Sequence, residues 1–209
     1  MDYQLVNPHT AVEGPTLPPP SHFTLSSPPG TDIWRKPPST DTFNAPFLYR
    51  SIKLSTFRRA RVTVSADWKT LYDQGGLCLA LPQSPGSTYR KWIKTGIEFY
   101  KGAPQVSTVA CDRWADWSLT PLPASGEKSV TVEMEREVIE GEKGSTLLVY
   151  MMEGVERKPI REVTWVFEED EEMEGECWVG AFVAKPTKDA DDEEKALSVD
   201  FGNLNVESF

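Results

Sequence analysis

From about residue 55 onward, apolar and polar positions alternate with a period of two. In ARVTVSA, Val62 and Val64 share one face, and Arg61, Thr63 and Ser65 share the other. GLCLAL sends Leu77, Leu79 and Leu81 one way and small residues the other. VTVEMEREV places Val130, Val132, Met134 and Val138 inward, and Glu133, Glu135 and Glu137 outward. PQVSTVAC, TLLVYMM, REVTWVF, CWVGAFVA and LSVDFGNL complete the series. Successive side chains on a pleated strand point to opposite sides, so each run predicts a strand with one buried face. No window carries apolar residues at helical spacing over three turns, and nothing suggests βαβ units. Many short alternating strands punctuated by Gly, Pro, Asp and Ser predict an all-β chain of two packed antiparallel sheets.

One run carries more polarity than a core strand needs. In KWIKTGIEF, residues 91–99, Ile93, Ile97 and Phe99 occupy one face, and Trp92, Lys94 and Glu98 the other. Four strand residues span about 13 Å, so Lys94 and Glu98 cannot pair with each other and must look to neighbouring strands. An aromatic ring beside charges on a sheet face describes either a solvated face or a groove for a polar ligand. Asp73 and Gln74 in YDQGG, Asp116 and Trp117 in CDRWADWSL, and Trp34 in TDIWRKP are candidates for the same groove.

The start of the chain reads differently. Ten of the 17 prolines fall within the first 50 residues, and residues 1–20 show no periodicity. The expected organisation is a Pro-rich arm over residues 1–22, extended over a surface or mobile, followed by one domain over residues 23–209. Two acidic runs, EEDEEMEGE at 168–176 and DADDEEK at 189–195, read as solvated loops that discourage edge-to-edge pairing. The first falls between two strands and is expected to be a hairpin loop.

Composition narrows the functional classes. The net charge is -10 and the one basic cluster, FRRAR at 57–61, is short, so neither nucleic acid nor an anionic membrane surface is an expected partner. No run is long enough for a membrane helix, and the N-terminal residues have no secretory pattern. The 3 cysteines are widely spaced, which argues against a disulfide framework or a CxxC zinc site and for a reducing, cytoplasmic home. No metal and no cofactor are expected. The only 2 histidines, His9 and His22, lie in the Pro-rich start, so triad chemistry would need one to fold back onto the domain. Glu168, Asp170 and Glu172 spell ExDxE, a spacing used by some glucanases, but Glu169 and Glu171 stand between them. A strand with acids on both faces can bury neither.

TDIWRKP, DTFNAPF, YDQGGLCLAL, RKWIKTGIEFYKGAPQVSTVAC and ADWSL follow one another in an order and spacing that resembles a family of unknown-function proteins. That family includes the fungal regulation of enolase protein. The resemblance spans about residues 23–204. It implies a concanavalin A-like jelly-roll sandwich whose two chain ends pair in one sheet, and it marks Gln74, Lys94, Glu98 and Asp116 as the polar signature.

Three functions are open at this point. One is a non-catalytic cytoplasmic binding or regulatory protein that contacts a protein partner such as a glycolytic enzyme. The second is a small-molecule or carbohydrate site on the concave sheet face, lined by Trp92, Lys94, Glu98 and Gln74 with Trp34 or Trp117 at its rim. The third is enzymatic, with Glu98 as general acid or base and Lys94 stabilising developing negative charge.

Overall fold

The computed structural model describes residues 3–9, 21–83, 86, 89–123, 128–168 and 174–209. Among them are 15 strands and no α-helix. In chain order these are β1 (Gln4–Val6), β2 (His22–Ser27), β3 (Ile33–Lys36), β4 (Thr40–Phe43), β5 (Phe47–Lys53), β6 (Phe57–Ala66), β7 (Gln74–Ala80) and β8 (Trp92–Tyr100). They continue with β9 (Ala103–Cys111), β10 (Ala115–Pro121), β11 (Ser129–Ile139), β12 (Glu142–Glu153), β13 (Glu156–Val163), β14 (Glu176–Ala184) and β15 (Leu197–Ser208).

A 7-stranded antiparallel sheet runs β1-β5-β14-β7-β8-β9-β10 and faces a 6-stranded antiparallel sheet, β13-β12-β11-β6-β15-β2. The period-two patterning accounts for the layer between them. Val62 and Val64 of β6 and Val130, Val132 and Met134 of β11 meet Leu77 and Leu79 of β7, Ile93 and Ile97 of β8, and Val179 and Ala181 of β14. β2 pairs with the C-terminal strand β15, as HFTLSS and LSVDFGNL were expected to do, with Leu197 opposite Ser27 and Phe201 opposite Phe23. Phe23 and Phe201 stack there at 5.2 Å.

The far face of the 7-stranded sheet is also covered in part. The β3–β4 hairpin lies over it and closes a second, smaller core of Ile33, Phe47, Cys78, Ala80, Trp92, Val109, Cys111 and Phe182. For this reason every residue of β7 is buried. Arg35 of the hairpin, 4% exposed, anchors the cover by donating to the Arg90 carbonyl at 2.8 Å, and it pairs with Asp41.

Four expectations differ from the structure. Val138 does not face inward with Val130, Val132 and Met134: the register of β11 shifts between Arg136 and Val138, and Val138 is exposed. The acidic run after residue 167 is not a hairpin loop: β13 and β14 belong to different sheets, and residues 169–173 themselves lie outside the described set. REVTWVF is a strand only to Val163, after which Thr164–Phe167 turn, and Phe167 packs on Phe57 at 5.7 Å. The Pro-rich arm is partly built into the domain: Gln4–Val6 extend the sheet beside β5, and Asn7 Nδ2 donates to the carbonyls of Phe43 and Ala45. Residues 10–20 of the arm lie outside the described set.

Candidate functional site

On the hairpin side of the 7-stranded sheet, side chains from even positions of β7 and β8 meet. Gln74 stands opposite Glu98, Gly76 opposite Gly96, and Cys78 opposite Lys94. The two glycines are required by close approach: a Cβ on Gly96 would sit 2.1 Å from the Gly75 carbonyl oxygen, and one on Gly76 would sit 2.1 Å from that of Thr95. The bare strip between Glu98 and Lys94 lets the lysine lie along the sheet toward Gln74.

Lys94 is 3% exposed, and its ammonium is fully engaged within the protein. Nζ donates to the Ile33 carbonyl at 2.6 Å, to Gln74 Oε1 at 2.7 Å and, more weakly, to Asp32 Oδ1 at 3.5 Å. The rings of Trp34, Trp92 and Phe182 surround it with centroids at 5.6–5.8 Å, which offsets part of the cost of burying a cation.

Glu98 is 6% exposed. Its Oε2 accepts from Ser107 Oγ at 2.7 Å and from Trp117 Nε1 at 3.1 Å. Burial raises the pKa of this carboxyl above its ordinary value, and the Asp32 charge adds to the rise. Lys94, Ser107 and Trp117 oppose it. Among the described residues no donor reaches Glu98 Oε1, although Glu98 lines an open cavity.

That cavity has a volume of about 330 Å³, at the small end of the range for ligand pockets. Asp32, Gln74, Lys94 and Glu98 provide its polar groups, Trp34, Tyr72 and Trp117 its aromatic walls, and Lys36, Pro186 and Thr187 complete the lining. Asp32 is fixed just before β3: its Oδ1 accepts from the Ile33 amide at 2.8 Å and from Gln74 Nε2 at 3.3 Å. Tyr72 takes a left-handed backbone conformation, φ 67°, in the turn before β7. Its ring stacks with Tyr100 at 6.0 Å, and Tyr100 meets Trp117 edge-on at 5.0 Å. Thr187 Oγ1 donates to the Leu71 carbonyl, which ties the lip after β14 to this turn.

The cavity therefore brings together Trp34, Gln74, Lys94, Glu98 and Trp117 among the residues expected from sequence. Three expected residues lie elsewhere. Trp92 shares the face of Lys94 and Glu98 but is fully buried beneath the hairpin, with no hydrogen-bond partner for Nε1. Asp116 points from β10 to the side opposite Trp117, since neighbours on a strand diverge, and pairs with Arg161 at 2.7 Å. Asp73, 2% exposed, caps its own turn through the amides of Lys69 and Thr70 and meets Lys185 at 3.2 Å. Asp32, Lys36, Tyr72, Pro186 and Thr187 were not singled out. They come from turns, from a short hairpin or from a strand's end, where no periodicity marks the direction of a side chain.

The 3 cysteines are free and buried, and desolvation pushes Cys78 and Cys177 up to about 12 and Cys111 up to about 11. None lines the cavity. Among the described residues no cluster of His, Cys, Asp and Glu could hold a metal ion, and no helix is long and apolar enough to cross a membrane.

Two facing antiparallel sheets, with a pocket on the outer face of one of them, define a concanavalin A-like β-sandwich. Within that class the chain belongs to the DUF1349 family, proteins of unknown function, whose match covers residues 17–209. An uncharacterised protein of Emericella nidulans is 50% identical over 188 residues, 90% of this chain and 87% of that one. Among solved structures, a functionally unknown protein from Saccharomyces cerevisiae superposes with a TM-score of 0.73 at 20% identity, covering 99% of this chain and 96% of that one. A pseudo β-1,3-glucanase of Mycobacterium tuberculosis, described as an immunostimulatory antigen, matches with a TM-score of 0.54 at 8% identity over 100% of this chain and 91% of that one. At these identities the structural likenesses are likenesses of fold.

Proposed function

We propose that the protein binds a small polyhydroxylated molecule, of the carbohydrate class, in the cavity above Glu98. The observation that supports this reading most is the uncommitted Oε1 of a 6%-exposed glutamate, in an aromatic-walled cavity of about 330 Å³. Aromatic faces stack on sugar rings, and a fixed acceptor orients a hydroxyl. Sandwiches of this fold include the mycobacterial pseudo-glucanase, so the scaffold is compatible with a sugar. Binding is favoured over catalysis because the donors of Lys94 are engaged by Ile33, Gln74 and Asp32, leaving none to meet developing negative charge. Regulation of a glycolytic enzyme through acidic loops is a separate reading that no feature of this cavity supports. The test is Trp emission during titration with sugars and planar metabolites, in the wild type and in Glu98→Ala. Quenching that the variant loses supports the reading. Unchanged emission across the whole series overturns it.

A further inference from the structure

The floor of the cavity is unusual in what it lacks. The protons of Lys94 go to Ile33 O, Gln74 Oε1 and Asp32 Oδ1. The amide of Gln74 donates to Asp32 Oδ1 and to the Tyr72 carbonyl, both at 3.3 Å. Trp117 Nε1 is held between Glu98 Oε2 and Ser107 Oγ, each at 3.1 Å. The donors of the floor are thus engaged inside the protein. Two acceptors are not: among the described residues neither Glu98 Oε1 nor Asp32 Oδ2 receives a protein donor. A ligand group seated on the floor, rather than against Trp34, Tyr72 or Lys36 in the rest of the lining, has to bring the hydrogen atoms.

Charge selects further. Asp32 and Glu98 carry two carboxyl groups into one cavity, and the buried Lys94 compensates only one of them. Lys36 stands exposed at the rim, where solvent screens it. One negative charge is left over at the floor of a cavity walled by Trp34, Tyr72 and Trp117. Aromatic faces attract cations, and a charge-assisted hydrogen bond is the stronger kind.

We infer that the cavity's ligand carries a protonated amine, whose ammonium donates to Glu98 Oε1 and Asp32 Oδ2 at that floor. An amino sugar is the form that joins this feature to the polyhydroxylated class proposed above, and the inference rests on that reading of the cavity. Ionised Glu98 is the form that takes the cation. Of the charged groups in the lining, Lys94 favours that form and Asp32 disfavours it, and the incoming ammonium removes the repulsion between the two carboxylates.

Matched pairs test this without a variant. Calorimetric titration of the whole chain compares glucosamine with glucose, and tyramine with 4-ethylphenol, at pH 7. The amine of each pair should bind about tenfold or more tightly than its neutral partner. Glu98→Gln, checked for a cooperative melting transition no lower than that of the wild type, should bring the pairs to within about threefold. Equal or tighter binding of the neutral members overturns the amine while leaving the cavity as a binding site. An amine preference that survives in Glu98→Gln overturns the placement of the ammonium on Glu98. Binding of neither member in either pair overturns both the amine and the site.

Discussion

The ammonium of Lys94 donates to the backbone carbonyl of Ile33 at 2.6 Å, across 61 residues of sequence. A central strand is thereby tied to the hairpin that covers it. The same nitrogen holds Gln74 and Asp32, so one side chain fixes the floor of the cavity and the wall that carries Trp34. Lys94→Met keeps the bulk and removes the charge. It leaves the Ile33 carbonyl and Gln74 Oε1 without their donor, and the expected loss is about 2–4 kcal/mol in denaturant unfolding. Ligand response should fall with it because the hairpin loosens. Stability equal to the wild type would show that the lysine does not hold the hairpin.

The pH dependence of Glu98 has a definite sign. Its folded pKa is raised above the ordinary 4.5, first by burial and then by Asp32. Between 4.5 and the folded value, the unfolded chain has lost a proton that the folded chain keeps. The contribution of Glu98 to stability therefore falls as pH rises through that window and stays low above it. Glu98→Gln keeps an oxygen that can accept from Ser107 and Trp117. It should melt higher than the wild type at pH 8, and the gain should shrink toward pH 4. A gain of the same size at both pH values would contradict the raised pKa.

Gly96→Ala tests the close approach of β7 and β8. Its Cβ would meet the Gly75 carbonyl oxygen at 2.1 Å, which is backbone and cannot swing aside. A loss of about 2 kcal/mol or more is expected by denaturant titration. A neutral result would mean that the strands separate easily at this point.

The thiols supply a check on packing. With Cys78 and Cys177 pushed up to about 12 and Cys111 up to about 11, all three should be silent toward a disulfide reagent at pH 8 in the native protein. All should react once guanidinium unfolds it. Rapid native labelling of any one would place that residue at the surface.

The two-layer fold was legible because alternation from Val62 to Phe201 reports directly which side chains meet between the sheets. The same alternation put Trp92, Lys94 and Glu98 on one face, as the structure has them. It could not show that the β3–β4 hairpin folds back over that face, which turns Trp92 into a core residue and leaves Glu98 at an opening. Asp116 and Trp117 were separable in principle, since adjacent strand residues diverge. Asp32 and Tyr72 were not, because their directions are set by a backbone amide and by a left-handed turn.

The central claim is that the cavity between Trp34, Tyr72 and Trp117 is a binding site, and indole N–H resonances report on it most directly. Trp117 Nε1 donates to Glu98, whereas Trp68 Nε1 donates to the Lys128 carbonyl, away from the cavity. Adding glucosamine to the ¹⁵N-labelled protein should shift the Trp34 and Trp117 signals and leave that of Trp68 in place. Signals of Trp34 and Trp117 that stay fixed at saturating glucosamine, glucose and tyramine would contradict the account.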